Sequence, residues 1–375
     1  MKPVLHILTD TTQTNWYVEK CLKYADDVSQ QFISFEPRMQ SLTHPKIEMV
    51  PFSEEMFDHW ARRANQGEFS KIIVNYFDAT AARLISRVDH TSLPIVWIVW
   101  GADLYTLPIV DRALYGKETK KILGLTRLAE WRKTLGGLFR KPQQKKSTHE
   151  LTYSAMKRVT HCATLIEPDV QLIQKCIHPH VARIPFSFSG LEDFAAQGNT
   201  PASKNNCIQV GNSGDPANNH ADVFMRLKKM GITNPLHVPL SYGNKTYRET
   251  LPAVAQEKFQ GLKIQFQTQH LSKEDYFKAL SSVGFAIMGH YRQQAFANII
   301  ALLYFGSKVF LNAQNPLLAS FQSWGLHVYD HDLDLTQASL SETLPEEKQK
   351  ENRDVIERLL GEESMCSYYR NLIAS

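Results

Sequence analysis

Short apolar runs of four or five residues, each followed by a helix-like stretch, recur along this chain in two separate series. Val4–Leu8, Ile72–Tyr76 and Ile95–Val99 are β-rich and apolar nearly throughout, as strands buried on both faces of a parallel sheet must be. Glu54–Asn65 and Ala79–Val88 between them read as helices, and Ala163–Ile166 and Val181–Ile184 as further strands. Residues Ser187–Asn206, rich in Ser, Gly, Asn, Ala and Pro, read as a linker. The alternation then restarts. Cys207–Val210, Leu236–Leu240, Leu262–Phe266, Gly284–Met288 and Lys308–Leu311 are the expected strands. Ala221–Met230, Lys245–Glu257, Lys273–Ser281 and Gln294–Phe305 are the expected helices. Two such series predict an α/β protein of two Rossmann-like domains facing across a cleft. The expected boundaries are 1–186 for the first domain, 187–206 for the linker, 207–345 for the second domain and 346–375 for a charged helical tail.

Composition narrows the class. A chain of 375 residues that is 43% hydrophobic has material for two cores. Its net charge of +4 does not by itself suggest nucleic-acid binding. Cys21, Cys162, Cys176, Cys207 and Cys366 are scattered without C-x-x-C spacing, which argues against a zinc site or a disulfide framework and for a reducing compartment. The apolar run at Val4–Leu8 is too short for a signal peptide. The longest strongly apolar run, Leu93–Trp100, falls far short of the ~20 residues a membrane-spanning helix needs. A soluble or peripheral protein is expected.

Four loops follow expected strands, at the end of the sheet where open α/β sheets bind ligands. Gly211-Asn212-Ser213-Gly214-Asp215-Pro216-Ala217-Asn218-Asn219-His220 stands between a strand and a helix start. Free backbone N–H groups and the helix dipole there suit a phosphate, with His220 as a further donor; the same residues also make ordinary tight turns. In Met288–Asn298, Arg292 suits a bidentate pair with phosphate, and a helix starting near Gln294 would add its dipole. In Leu240–Asn244, Tyr242 could stack on a base or sugar and Gly243 would permit close backbone approach. In the first half, Trp100–Tyr105 places Asp103 after a strand, suited to a general base or a sugar-hydroxyl acceptor, or to a helix cap. Asp10, after the first strand, competes for the same role.

Residues Asp111–Lys146 are strongly basic, with Leu125, Leu128, Trp131, Leu135, Leu138 and Phe139 interleaved at near-helical spacing. That composition fits an amphipathic segment on an anionic membrane, or a basic surface helix packed on its own domain. No RNA-binding module is apparent, so nucleic acid is not an expected partner. Asp330-His331-Asp332-Leu333-Asp334 has D-x-D spacing but reads mainly as a loop and cap, and His178-Pro179-His180 lacks further ligands. No G-x-G-x-x-G follows the first strand and no P-loop signature occurs, which disfavours nicotinamide dehydrogenases and P-loop enzymes.

Taken together, Gly211–Asp215 with Asn218 and His220, Arg292-Gln293-Gln294, Asn315-Pro316 and Trp100–Tyr105 resemble bacterial 4-acetamido-4,6-dideoxygalactose (Fuc4NAc) transferases. These are the glycosyltransferase family 56 enzymes that extend lipid II of enterobacterial common antigen. The motifs fall in the family's order from about Trp100 to Pro316, and the amino-terminal 90 residues carry little of the match. The resemblance implies a GT-B fold, a dTDP-sugar donor, a polyprenyl-diphosphate-linked acceptor and no metal or other cofactor. It also implies a peripheral position on the cytoplasmic face of the bacterial inner membrane. On this reading the N–H groups of Asn212–Asp215, with His220 and Arg292, stabilise the departing diphosphate. Tyr242, Gly243, Gln293, Gln294 and Asn298 contact nucleotide or sugar, and Asp103, ahead of Asp10, takes the acceptor proton. O-antigen or capsule synthesis with another nucleotide sugar, a non-catalytic nucleotide-sugar-binding protein, and an epimerase of the same build are the alternatives.

Overall fold

The computed structural model describes residues 2–36, 41–89, 93–125, 143–195 and 204–374. It divides into two compact units. The first lies within Met1–Asp111, Lys141–Gly190 and Glu362–Ser375; the second lies within Arg112–Arg140 and Leu191–Gly361.

The first unit is built on seven strands: β1 Val4–Ile7, β2 Gln30–Phe35, β3 Ile47–Val50, β4 Lys71–Asn75, β5 Ile95–Ile98, β6 His161–Ala163 and β7 Ala182–Ile184. They pair in the order β3-β2-β1-β4-β5-β6-β7, every pair parallel. Every residue of β1, β4 and β5 is buried; strands covered by helices on both faces take this form, which is why these three runs are apolar without alternation. Helices start on side-chain caps that satisfy their first N–H groups. Ser53 accepts from the Met56 N–H, and Asp78 accepts from the Thr80 and Ala81 N–H groups.

The second unit has six strands: β8 Ile208–Val210, β9 Pro235–Pro239, β10 Lys263–Gln267, β11 Phe285–Met288, β12 Lys308–Leu311 and β13 Val328–Asp330. Their order is β10-β9-β8-β11-β12-β13, again all parallel. The order runs outward in one direction from β8 and in the other from β11. The direction in which successive strands are added therefore switches between those two parallel strands, and a crevice opens at their carboxyl ends. The core beneath it is apolar, with Ile208, Val210, Phe224, Leu236, Ile287 and Phe310 among its buried residues.

Two boundaries differ from those expected. The tail is two helices, Glu346–Leu360 and Glu362–Ala374, broken at Gly361. Glu346–Leu360 packs with the helix Phe296–Tyr304 of the second unit. Glu362–Ala374 belongs to the first unit, because its apolar stripe has its partners there: Tyr369 is fully buried against Tyr17, Tyr24 and Phe186. Its last carbonyls receive the Lys71 ammonium, Leu372 at 3.0 Å and Ile373 at 3.4 Å, a cation at the negative end of a helix.

The start of the basic segment belongs to the second unit, not the first. The helix Lys117–Ile122 begins on the Asp222 carboxylate, which accepts the Glu118 N–H at 2.8 Å and the Thr119 N–H at 2.9 Å. Ile122 and Leu123 pack on the second core. Residues 126–142, the middle of the expected membrane-facing stretch and the part that carries its interleaved Leu128, Trp131, Leu135, Leu138 and Phe139, lie outside the described residues. No helix among the described residues is long and apolar enough to cross a membrane.

Candidate functional site

The loops after β8, β9 and β11 meet at the carboxyl end of the second sheet. Two glycines make this possible. Gly211 has φ +68, and a Cβ there would stand 2.5 Å from Asn218 Oδ1 and 2.7 Å from His220 Nε2. Gly243 has φ +111, and a Cβ there would stand 2.6 Å from the Gly214 carbonyl carbon. Gly214 N–H donates to Tyr242 O at 2.7 Å and Asn244 N–H donates to Gly214 O at 3.1 Å. The close approach expected at Gly243 is thus to the chain's own backbone.

The expected cradle of free N–H groups at Asn212–Asp215 is mostly occupied. Asn218 folds back, and its Oδ1 accepts the Asn212 N–H at 2.9 Å. Gly214 N–H is held by Tyr242 O, and Asp215 N–H faces Ser213 Oγ at 3.4 Å. Among the described residues only Ser213 keeps an uncommitted N–H in this stretch. Asn218 is the hub: its amide donates to Ser213 O at 3.1 Å and Asp215 O at 3.0 Å, while Oδ1 also receives His290 Nε2 at 2.8 Å. Those two carbonyls fix the amide's orientation, so His290 Nε2 is the protonated nitrogen and Nδ1 a bare acceptor, buried and without a partner.

His220 is not a phosphate donor in this arrangement. It is fully buried beneath Gly211, with Nδ1 3.3 Å from the Tyr247 hydroxyl. Burial pushes its pKa down to about 3. Burial, then Arg292 and His220, hold His290 well below the usual imidazole range. Both rings are held toward the neutral form, and the permanent cations at this end of the sheet are arginines: Arg292 after β11, Arg248 against Gly214 with Nη1 donating to Ser241 O at 2.6 Å, and Arg112.

Arg292, Gln293 and Gln294 follow β11. The Arg292 side chain is 7% exposed and its Nη2 pairs with Asp215 Oδ2 at 3.1 Å; Nη1 donates to Gln293 O at 3.0 Å and Nε has no partner. Gln294 Nε2 reaches the same Asp215 oxygen at 3.4 Å, and the side-chain oxygens of Gln293 and Gln294 are buried without partners. The helix expected near Gln294 starts at Phe296. Its N-cap, Ala295, is left-handed (φ 61, ψ 27) and offers no side-chain cap. A non-glycine residue held there is strained, and the helix's first N–H groups stay open to an anion. Unpartnered buried polar atoms thus gather here, with one guanidinium and one open helix end.

Tyr242 is 47% exposed, yet its hydroxyl receives Asn212 Nδ2 at 3.0 Å. The phenol pKa is raised, by burial first, with the Asn212, Ser213 and Asn298 side chains opposing the rise. Asn298 in turn accepts the Tyr276 hydroxyl. An aromatic face is therefore presented beside Arg292's loop while its polar tip is anchored.

Other residues at this end of the sheet carry no signal in the sequence. Asn219 Oδ1 accepts the Gly116 N–H at 2.9 Å, and its Nδ2 donates to Gly289 O at 2.8 Å and Leu114 O at 3.3 Å. Arg112 donates to Gln314 O. Residues Arg112–Gly116 therefore run along this same end of the sheet. Tyr115 lies close enough to feel Asp215, though burial is the larger cause of its raised pKa.

In the first unit Asp103 is 4% exposed and its carboxylate is fully engaged. Oδ2 accepts Trp97 Nε1 at 2.7 Å and the Phe77 N–H at 3.2 Å, and Oδ1 accepts the Trp100 N–H at 3.0 Å. It ties β4 and β5 to the turn that follows them, a structural task in place of the expected base. Asp10 is only partly buried and accepts the Ser41 N–H at 2.7 Å. Burial raises the Asp103 carboxyl from 3.8 to about 6, against the opposing N–H donors. A raised folded-state pKa favours folding of the neutral form. This contribution is complete below about pH 4 and is lost as pH rises through about 6. Asp103→Asn turns an amide NH2 toward N–H donors. It should cost about 1–3 kcal/mol and remove this carboxyl's share of the pH dependence of stability between these values. Chemical denaturation of both proteins from pH 4 to 7 checks this; parallel curves would contradict it.

The family model described as 4-alpha-L-fucosyltransferase glycosyl transferase group 56 matches residues 143–353. Among solved structures, the sucrose-phosphate synthase of Thermosynechococcus elongatus has a TM-score of 0.64 at 13% identity, covering 99% of both chains. The trehalose 6-phosphate synthase of Burkholderia multivorans has a TM-score of 0.58 at 9% identity, covering 99% of this chain and 95% of its own. Anabaena HepE in complex with UDP has a TM-score of 0.55 at 8% identity, covering 99% and 94%. At such identities the likeness establishes the fold, which is GT-B.

Proposed function

The chain belongs to glycosyl transferase group 56, and from that membership we propose that it moves a deoxy-amino sugar of the Fuc4NAc kind from a dTDP-sugar to a polyprenyl-diphosphate-linked glycan during bacterial surface polysaccharide synthesis. That it is a glycosyltransferase follows from the family and the fold. The finer reading is supported chiefly by one observation: a nearly buried guanidinium, Arg292, beside an uncapped helix start at the switch point of the second sheet.

Arg292 and the first N–H groups of Phe296–Tyr304 take the donor diphosphate and the charge that grows on it as the glycosidic bond breaks. Donors already in place for developing charge cost no reorganisation. No metal is needed in this scheme. Tyr242 offers its ring to the base or the sugar, with Asn298 beside its hydroxyl. In the first unit we assign the acceptor's proton to Asp10, because both Asp103 oxygens already serve structural N–H groups. A lipid-borne acceptor would bring the enzyme to the cytoplasmic face of the inner membrane, where a net basic sequence such as 111–146 favours anionic headgroups.

The test is calorimetry with dTDP, UDP and GDP. dTDP should bind tightest, and equal or weaker binding than UDP would reassign the donor and with it the sugar.

A further inference from the structure

We infer that the Asp215 carboxylate is an exchangeable stand-in for the donor's diphosphate: it holds Arg292 in position in the donor-free protein and releases the guanidinium to an incoming polyanion. This rests on the donor-site reading above.

The two Asp215 oxygens do different work. Oδ1 accepts the Ala217 N–H at 2.9 Å and caps the short turn Pro216–Asn218. Oδ2 receives Arg292 Nη2 at 3.1 Å and Gln294 Nε2 at 3.4 Å. Exchange at Oδ2 therefore leaves the turn standing. Exposure of the partners is lopsided: the Arg292 side chain is 7% exposed and that of Asp215 36%. A guanidinium so deep strongly favours a counter-ion, because a buried unpaired charge is unfavourable. Asp215 can be hydrated once released. An arriving anion must therefore replace Asp215 rather than merely add to it. A singly charged anion gains little in that exchange. A diphosphate, with more charge and several oxygens, gains enough to win. Asp215 thus sets selectivity for diphosphate over monophosphate, acting as a positioning residue through Arg292.

Calorimetry with inorganic pyrophosphate and with inorganic phosphate, on the full chain, tests this. Asp215→Asn keeps the oxygen that caps the turn and removes the charge. It should bind pyrophosphate about tenfold tighter than wild type and bind phosphate with a smaller penalty relative to pyrophosphate. Asp215→Ser, also able to cap the turn, should do the same and serves should the first variant not fold. In an Arg292→Ala background the gain should vanish, which separates the pair from a general field effect. A purely structural role would weaken binding instead. If wild type binds pyrophosphate and folded Asp215→Asn binds it no tighter, or if the gain survives without Arg292, the inference fails alone. If neither protein binds pyrophosphate, the donor-site reading fails and the inference with it.

Discussion

Calorimetry on Arg292→Ala is expected to show dTDP affinity reduced by about 100-fold or more, near 3 kcal/mol. The size follows from the surroundings. The side chain is nearly buried, so its charge acts through little water. Its Nε is buried and carries no hydrogen bond within the protein, so a donor there is still unsatisfied. Charge-assisted, forked hydrogen bonds of this type are among the strongest a protein makes. Folding should be little affected, because the Asp215 carboxylate left behind is 36% exposed and can be hydrated. Arg292→Lys should restore only a small part of the affinity, since an ammonium does not reproduce the planar fork. An Arg292→Ala protein that binds dTDP within about threefold of wild type would remove Arg292 from the site.

The second large effect is expected at Asn218. Its side chain is fully buried and joins the Gly211 loop to β11's loop through His290. Asn218→Ala strands the Asn212 N–H, His290 Nε2 and the Ser213 carbonyl, and leaves the Asp215 carbonyl with only the backbone N–H of residue 218. Each buried group left without a partner costs about 1–3 kcal/mol, less than additively, so a loss of about 3–5 kcal/mol is expected. Asn218→Asp should not rescue it, because a carboxylate oxygen would then face those two carbonyls. Thermal melts should show the second unit's transition lowered by roughly 10 °C, with dTDP binding lost. A variant that melts with wild type would mean that the loop does not depend on this hub.

Much of the fold was legible in the sequence for a single physical reason. Strands covered on both faces leave short runs that are mostly apolar, so β1, β4, β5, β8, β9, β11 and β12 could be read despite single polar residues such as His6, Gln209 and His237. The edge strand β3 has only Val50 fully buried, and β13 is three residues long; neither leaves such a run. The helix Thr12–Tyr24 buries Thr14, Asn15 and Lys20 on its inner side, which blurs its periodicity. The helical nature of the tail was evident, but which sheet it covers depends on Tyr369 finding Tyr17 across more than three hundred residues.

The site divides along the same line. Strand-end position marks the loops after β8, β9 and β11, and chemistry marks Arg292 and Tyr242. The occupancy of the Gly211-loop N–H groups could not be read, because it is set by Asn218 turning back. The burial of His220 and the full engagement of Asp103 are tertiary facts too. Local pattern places a polar residue at a strand end. Only packing decides whether it faces a ligand or serves the fold.

Incubating the purified protein with dTDP-linked Fuc4NAc and a polyprenyl-diphosphate-linked acceptor, and following the lipid product by mass spectrometry, separates a transferase from a protein that only binds the donor. The account predicts a lipid heavier by one deoxy-amino sugar residue, dTDP released in equal amount, and no product with Arg292→Ala. Tight dTDP-sugar binding with no transfer to any lipid-linked acceptor, or transfer undiminished in Arg292→Ala, would contradict it.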